Sequence, residues 1–163
     1  AIKRPLIETA LSDPEDVVSQ LIMTASALPG DGKTFTCINL ALSMSLEKDY
    51  TVLLVDGDVA KPHVSKVFGV RKEPGLLDVL ADPNLDIESV ILPTDVPRLS
   101  LLPAGRHSET ATELLASDRM AQIVDQLARL NPRGVVLFDS LPNLLSSESR
   151  VLTGLMGQVD LVV

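Results

Sequence analysis

Ala27-Leu28-Pro29-Gly30-Asp31-Gly32-Lys33-Thr34 separates a short apolar run from a stretch with helical spacing, and its reading decides the fold. Glycines at 30 and 32 let backbone N–H groups close around a phosphate where a Cβ would obstruct them. A helix beginning at Lys33 points the positive end of its dipole at the same anion. Pro29, Gly30, Asp31, Gly32, Lys33, Thr34 and Phe35 are therefore the candidate nucleotide-binding residues, with Lys33 reaching the β/γ oxygens and Thr34 offering its hydroxyl to Mg²⁺. The strict pattern G-x-x-x-x-G-K-[ST] is not met, because its first glycine is Ala27 here.

The rest of the chain supplies the context that this loop needs. Residues 51–56 (Thr-Val-Leu-Leu-Val-Asp) form a β-branched apolar run that ends in a carboxylate, and residues 135–138 form a second, closed by Asp139. Residues 17–24, 99–102 and 159–163 read as further strands. Helical stripes lie between them: Phe35, Ile38, Ala41, Leu42 and Leu46 in one, Met120, Ile123, Val124, Leu127 and Leu130 in another. Ser117 and Asp118 stand where they can cap the second. Apolar strands separated by helices predict an α/β fold, a mostly parallel sheet covered by helices on both faces.

Ligands of such sheets bind at the carboxyl ends of the strands. Asp56, Asp58 and Asp139 should emerge there together with the glycine loop, converging on one Mg-nucleotide. Thr34, Asp56 and Asp139 are the candidate metal-binding residues, directly or through water. Asp56 and Asp58, two residues apart, can divide the work between holding the metal's water shell and accepting a proton from an incoming hydroxyl. Each acid alone reads as readily as a turn-former or cap. It is their order, with Lys-Thr opening a helix, that points to a nucleotide.

Composition sets bounds on the alternatives. The 163 residues, 45% of them hydrophobic, can bury one substantial core, so residues 1–163 read as a single nucleotide-binding domain. A net charge of −8, from 22 acidic and 14 basic side chains, argues against a nucleic-acid partner. The one cysteine, Cys37, has no disulfide partner in the chain and reads as a small packed hydrophobe. No apolar run is long enough to cross a bilayer. His63 and His107 are isolated and read as surface residues rather than metal ligands.

The loop, the run Val-Leu-Leu-Val-Asp56-Gly57-Asp58 with Lys61-Pro62 after it, and Val-Val-Leu-Phe-Asp139-Ser140 together resemble the bacterial tyrosine kinases of capsule and exopolysaccharide synthesis. That family is related to the partition and division-site ATPases with deviant Walker motifs. Gly75-Leu76-Leu77-Asp78-Val79-Leu80 and Glu113-Leu114-Leu115-Ala116-Ser117 extend the resemblance over nearly the whole chain, which is most similar to the exosortase-associated autokinases.

The resemblance implies a P-loop NTPase-like fold and transfer of the ATP γ-phosphoryl to tyrosine, with ATP/ADP and Mg²⁺ as cofactors. Lys33, Asp56 and Asp58 would be catalytic, one of the two acids serving as base. It also implies a membrane adaptor of the chain-length-determinant type, a homo-oligomer (ring or dimer), and a phosphoacceptor in a tyrosine-rich C-terminal tail presented in trans. The location would be cytoplasmic, at the inner face of the plasma membrane. The one tyrosine here is Tyr50, before a strand, so the domain is expected to be truncated at both ends with its tail missing. Where the family often has Arg after the acidic pair this chain has Ala60-Lys61, and Ser140-Leu141-Pro142 replaces Ser/Thr-Pro-Pro.

Two other functions stay open. A partition- or division-site-type ATPase would act as an ATP-gated dimer switch, but such proteins place a second lysine early in the loop, where this chain has Leu28. A non-catalytic nucleotide-binding module is the third.

Overall fold

Thr51–Asp56 and Gly134–Asp139, both apolar and both ending in a carboxylate, lie side by side at the middle of a six-stranded sheet. A computed structural model describes residues 21–26, 33–59, 61–130, 133–139 and 158–162. Within them the chain runs β1 (Leu21–Ser26), α1 (Lys33–Ser45), β2 (Thr51–Asp56), α2 (His63–Val67), α3 (Leu76–Ala81), a 3₁₀ turn (Ile87–Val90), β3 (Leu92–Pro93), β4 (Leu99–Leu102), α4 (Ala111–Leu115), α5 (Asp118–Leu130), β5 (Gly134–Asp139) and β6 (Gln158–Val162). Strand order is β3-β4-β2-β5-β1-β6. Every pairing is parallel except β3 with β4, so the expected mostly parallel α/β sheet is present.

Alternation along the central strands divides the core in two. Val52 and Leu54 of β2 join Val135 and Leu137 of β5 under α1, where Cys37, Leu40, Ala41 and Met44 cover them. Val55, Val136 and Phe138 face the opposite side, against α3, α4 and α5. Both faces are apolar because both carry helices, which is why these strands read as continuous runs in the sequence.

Three details differ from the sequence expectations. The stripe of α1 is rotated: Phe35 and Leu46 are 74% and 72% exposed, and the buried positions are Cys37, Leu40, Ala41 and Met44. Both sets fit a 3.6-residue period, and only the sheet decides which faces inward. β1 continues to Ser26 rather than ending at Thr24, held by register pairs with β6 up to Val162. The edge strand β3 and the short helices α2, α3 and α4 are too brief to carry a periodic signal. Other expectations hold: Cys37 is buried in the core, and Ser117 Oγ accepts from the Met120 N–H at 3.3 Å to cap α5.

Candidate functional site

The parallel register of β2 and β5 makes Asp56 and Asp139 lateral partners at the carboxyl end of the sheet. The Gly57 N–H donates to the Asp139 carbonyl at 2.6 Å, continuing the ladder one residue past the strand and fixing where the chain turns toward Asp58. Helix α1 begins at Lys33 on the same edge, and the Thr34 hydroxyl donates to Asp139 Oδ2 at 2.9 Å. Tertiary structure thus brings Thr34, Asp56, Asp58 and Asp139 together. Lys33 opens α1 at this edge, and Phe35 follows two residues later with its ring in solvent. Pro29, Gly30, Asp31 and Gly32 lie outside the described residues.

All three acids are buried. Asp56 is held by an arrangement that sequence reasoning missed. Ser65, on α2, donates to Asp56 Oδ2 twice, from its backbone N–H at 2.8 Å and from its hydroxyl at 2.6 Å. The Ser65 Oγ also accepts from the Ala104 N–H at 3.1 Å, tying Asp56 to the loop after β4. Asp56 Oδ1 accepts from the Asp58 N–H at 3.2 Å, and Asp58 Oδ1 from the Lys61 N–H at 3.2 Å. No local pattern marks a serine nine residues after an aspartate as its partner; only the packing of α2 on the sheet creates the contact.

Burial pushes the Asp56 carboxyl up to about 7. The two Ser65 hydrogen bonds oppose that rise, while the negative charges of Asp139 and Asp58 add to it. The like charges of Asp139 and Asp58 act against ionisation of Asp56, an effect that a bound cation would relieve. Among the described residues, however, no three acidic, histidine or cysteine side chains close into a cage that would hold a metal alone. Hard oxygen donors on one side of a cation fit Mg²⁺, which keeps waters and takes its remaining ligands from nucleotide phosphates.

The loop after β4 is itself latched. Asp78 Oδ2 accepts from the Gly75 and Arg106 N–H groups at 2.8 and 3.1 Å, and Asp78 Oδ1 from Arg106 Nε at 3.1 Å. Gly105 adopts φ +97°, a conformation that favours glycine. His63 and His107 are exposed, as the sequence predicts.

Sheet order, helix placement and a cluster of buried acids beside the first helix define a P-loop NTPase-like α/β protein. Residues 19–154 match the AAA domain family AAA_31, and the chain belongs to that family. It is 30% identical over 134 residues, 82% of its length, to the tyrosine-protein kinase wzc of Salmonella typhimurium, of which it covers 18%. The kinase domain of the Escherichia coli tyrosine kinase ETK superposes with a TM-score of 0.80 at 27% identity, covering 91% of this chain and 56% of that one. The septum site-determining protein MinD of Pyrococcus horikoshii, complexed with Mg-ADP, gives 0.73 at 25% identity, covering 88% and 57%. The chain spans about a fifth of the length of the first curated relatives it matches.

Proposed function

We propose that this chain is the nucleotide-binding catalytic domain of a protein-tyrosine kinase acting in exopolysaccharide or capsule synthesis. The observation that carries the reading is the Thr34 hydroxyl on Asp139 beside the Asp56-Gly57-Asp58 pair, in a chain similar to named tyrosine kinases. ATP would lie across the start of α1, with residues 29–35 around its phosphates and Lys33 on the β/γ oxygens. Thr34, Asp139 and Asp56 would hold Mg²⁺, directly or through water, and the ion would supply positive charge against the phosphoryl oxygens.

In the reaction a tyrosine phenolic oxygen forms a bond to the γ-phosphorus as the bond from phosphorus to the β–γ bridging oxygen breaks. ADP leaves with that electron pair, and the phenolic proton passes to the carboxylate of Asp58 or Asp56. Ser65 keeps Asp56 from rotating, since both of its donors hold one carboxylate oxygen.

The phosphoacceptor would lie outside this chain's own core, in a tyrosine-rich tail of a neighbouring copy, because Tyr50 is 5% exposed. A homo-oligomer and a membrane adaptor of the chain-length-determinant type follow from the same reading, with residues 1–163 as one domain of a longer cytoplasmic assembly at the inner membrane face. No helix among the described residues is long and apolar enough to cross a membrane. Nucleic acid is not an expected partner at a net charge of −8.

The second reading, an ATP-gated dimer switch, is favoured by the similarity to MinD. The test is a full-length protein incubated with labelled ATP and Mg²⁺, followed by mass spectrometry of its tyrosines, beside Lys33→Met and Asp58→Asn. Phosphotyrosine lost in both variants supports the kinase. ATP hydrolysis without phosphotyrosine, even with an adaptor segment present, supports the switch.

A further inference from the structure

The acidic balance of the chain has one local reversal. Residues 61–72 contain Lys61, Lys66, Arg71 and Lys72 and no Asp or Glu, in a chain of net charge −8. Helix α2 and the turn after it fold this segment onto the flank of α1 beside the acidic cluster. Lys61, His63, Lys66 and Arg71 line one concavity there, and among the described residues no ion pair engages Lys61, Lys66, Arg71 or Lys72. Next to it opens a groove of about 590 Å³ between α1 and α2, walled by Phe35, Ile38 and Val67, with His63 and Lys66 on its rim. Phe35 and Val67 are 74% and 65% exposed. Thr34 lines the groove and also donates to Asp139, so the groove runs up to the acidic site.

A large aromatic and a valine held in solvent beside exposed cations match a ligand that is apolar in one part and anionic around it. The geometry points to this groove as the docking site of an acidic peptide segment carrying an aromatic side chain: the acceptor tyrosine with Asp or Glu on either side. The aromatic ring would fill the groove between Phe35 and Val67, and the flanking carboxylates would pair with Lys66, Arg71 and Lys61. A concave site suits a peptide better than a lipid surface, which needs protruding apolar side chains. This assignment rests on the kinase reading for its tyrosine and on the groove alone for its peptide.

The test separates the two. A fluorescent acidic peptide with phenylalanine in place of tyrosine, and a basic peptide of equal length, are titrated with this chain at low and physiological salt. The acidic peptide should bind at least about tenfold more tightly and lose affinity with salt. Lys66→Glu/Arg71→Glu and, separately, Val67→Asp should each weaken it about tenfold or more while urea unfolding and nucleotide affinity stay near wild type. Should the charge reversals unfold the chain, Lys66→Gln/Arg71→Gln keeps the question open to measurement. Equal affinity for both peptides, or variants that bind like wild type, would overturn the proposal. So would selective binding to phosphatidylserine vesicles, or self-association lost in these variants, in the absence of peptide binding. Peptide binding without phosphotyrosine in the kinase assay would leave the docking site standing and remove the kinase reading.

Discussion

Ser65 Oγ stands 2.6 Å from Asp56 Oδ2 and accepts the Ala104 N–H at 3.1 Å, so one buried hydroxyl joins a site carboxylate to the loop beyond β4. Ser65→Ala would leave the Ala104 N–H without its acceptor and Asp56 with one donor fewer. The expected cost is about 2–3 kcal/mol of stability, typical of a buried polar group left unpaired. Urea unfolding of the variant measures it; a loss below about 0.5 kcal/mol would mean that water replaces the hydroxyl.

Asp56 gives the protein a specific pH dependence. Its carboxyl sits at about 7 in the folded chain against an ordinary 3.8, so the folded state holds the proton more tightly than the unfolded one. Stability contributed by this group is present in full below about pH 4, falls as pH rises toward 7, and is flat above. Asp56→Asn removes the term. Without nucleotide or Mg²⁺, the variant should gain on wild type between pH 5 and pH 8, by at most about 3 kcal/mol. Paired unfolding curves at the two pH values check it, and a gap that narrows with rising pH would contradict it.

Gly75 is required by space rather than by its dihedral angles. A Cβ there would lie 2.1 Å from the Pro103 carbonyl oxygen, the group that accepts the Leu76 N–H at 2.9 Å. Gly75→Ala must push α3 off the loop after β4, at an expected cost of about 2 kcal/mol or more. Thermal unfolding of the variant reads the loss directly, and an unchanged midpoint would show that the loop yields freely.

Tyr50 packs in the core beneath α1 at 5% exposure. Its phenol cannot meet a γ-phosphate without opening the fold, so folded protein incubated with Mg-ATP should carry no phosphate on it. Peptide mapping by mass spectrometry tests this, and stoichiometric phosphate at Tyr50 would show that the core opens under assay conditions.

Much of the architecture was legible because it is written in short-range patterns. The β2 and β5 runs are apolar on both faces and end in Asp56 and Asp139, so their burial and their shared edge follow from residues next to one another in the chain. The stripe of α1 was legible as a helix but not in its phase: Phe35 and Cys37 each belong to an apolar set, and the sheet buries only the second. Helices as short as α2 carry too few turns for periodicity to register.

The sequence by itself determined the class of fold, the parallel sheet with helices on both faces, and the carboxylates at its edge, because those depend on hydrophobic period and on where apolar runs stop. Tertiary structure alone decided that Ser65 holds Asp56, that Thr34 meets Asp139, and that the basic segment lies against the exposed Phe35. These contacts join residues 9 and 105 positions apart in the bonded pairs, and pairings at such separations are set by how helices seat on the sheet, which no local pattern of residues encodes.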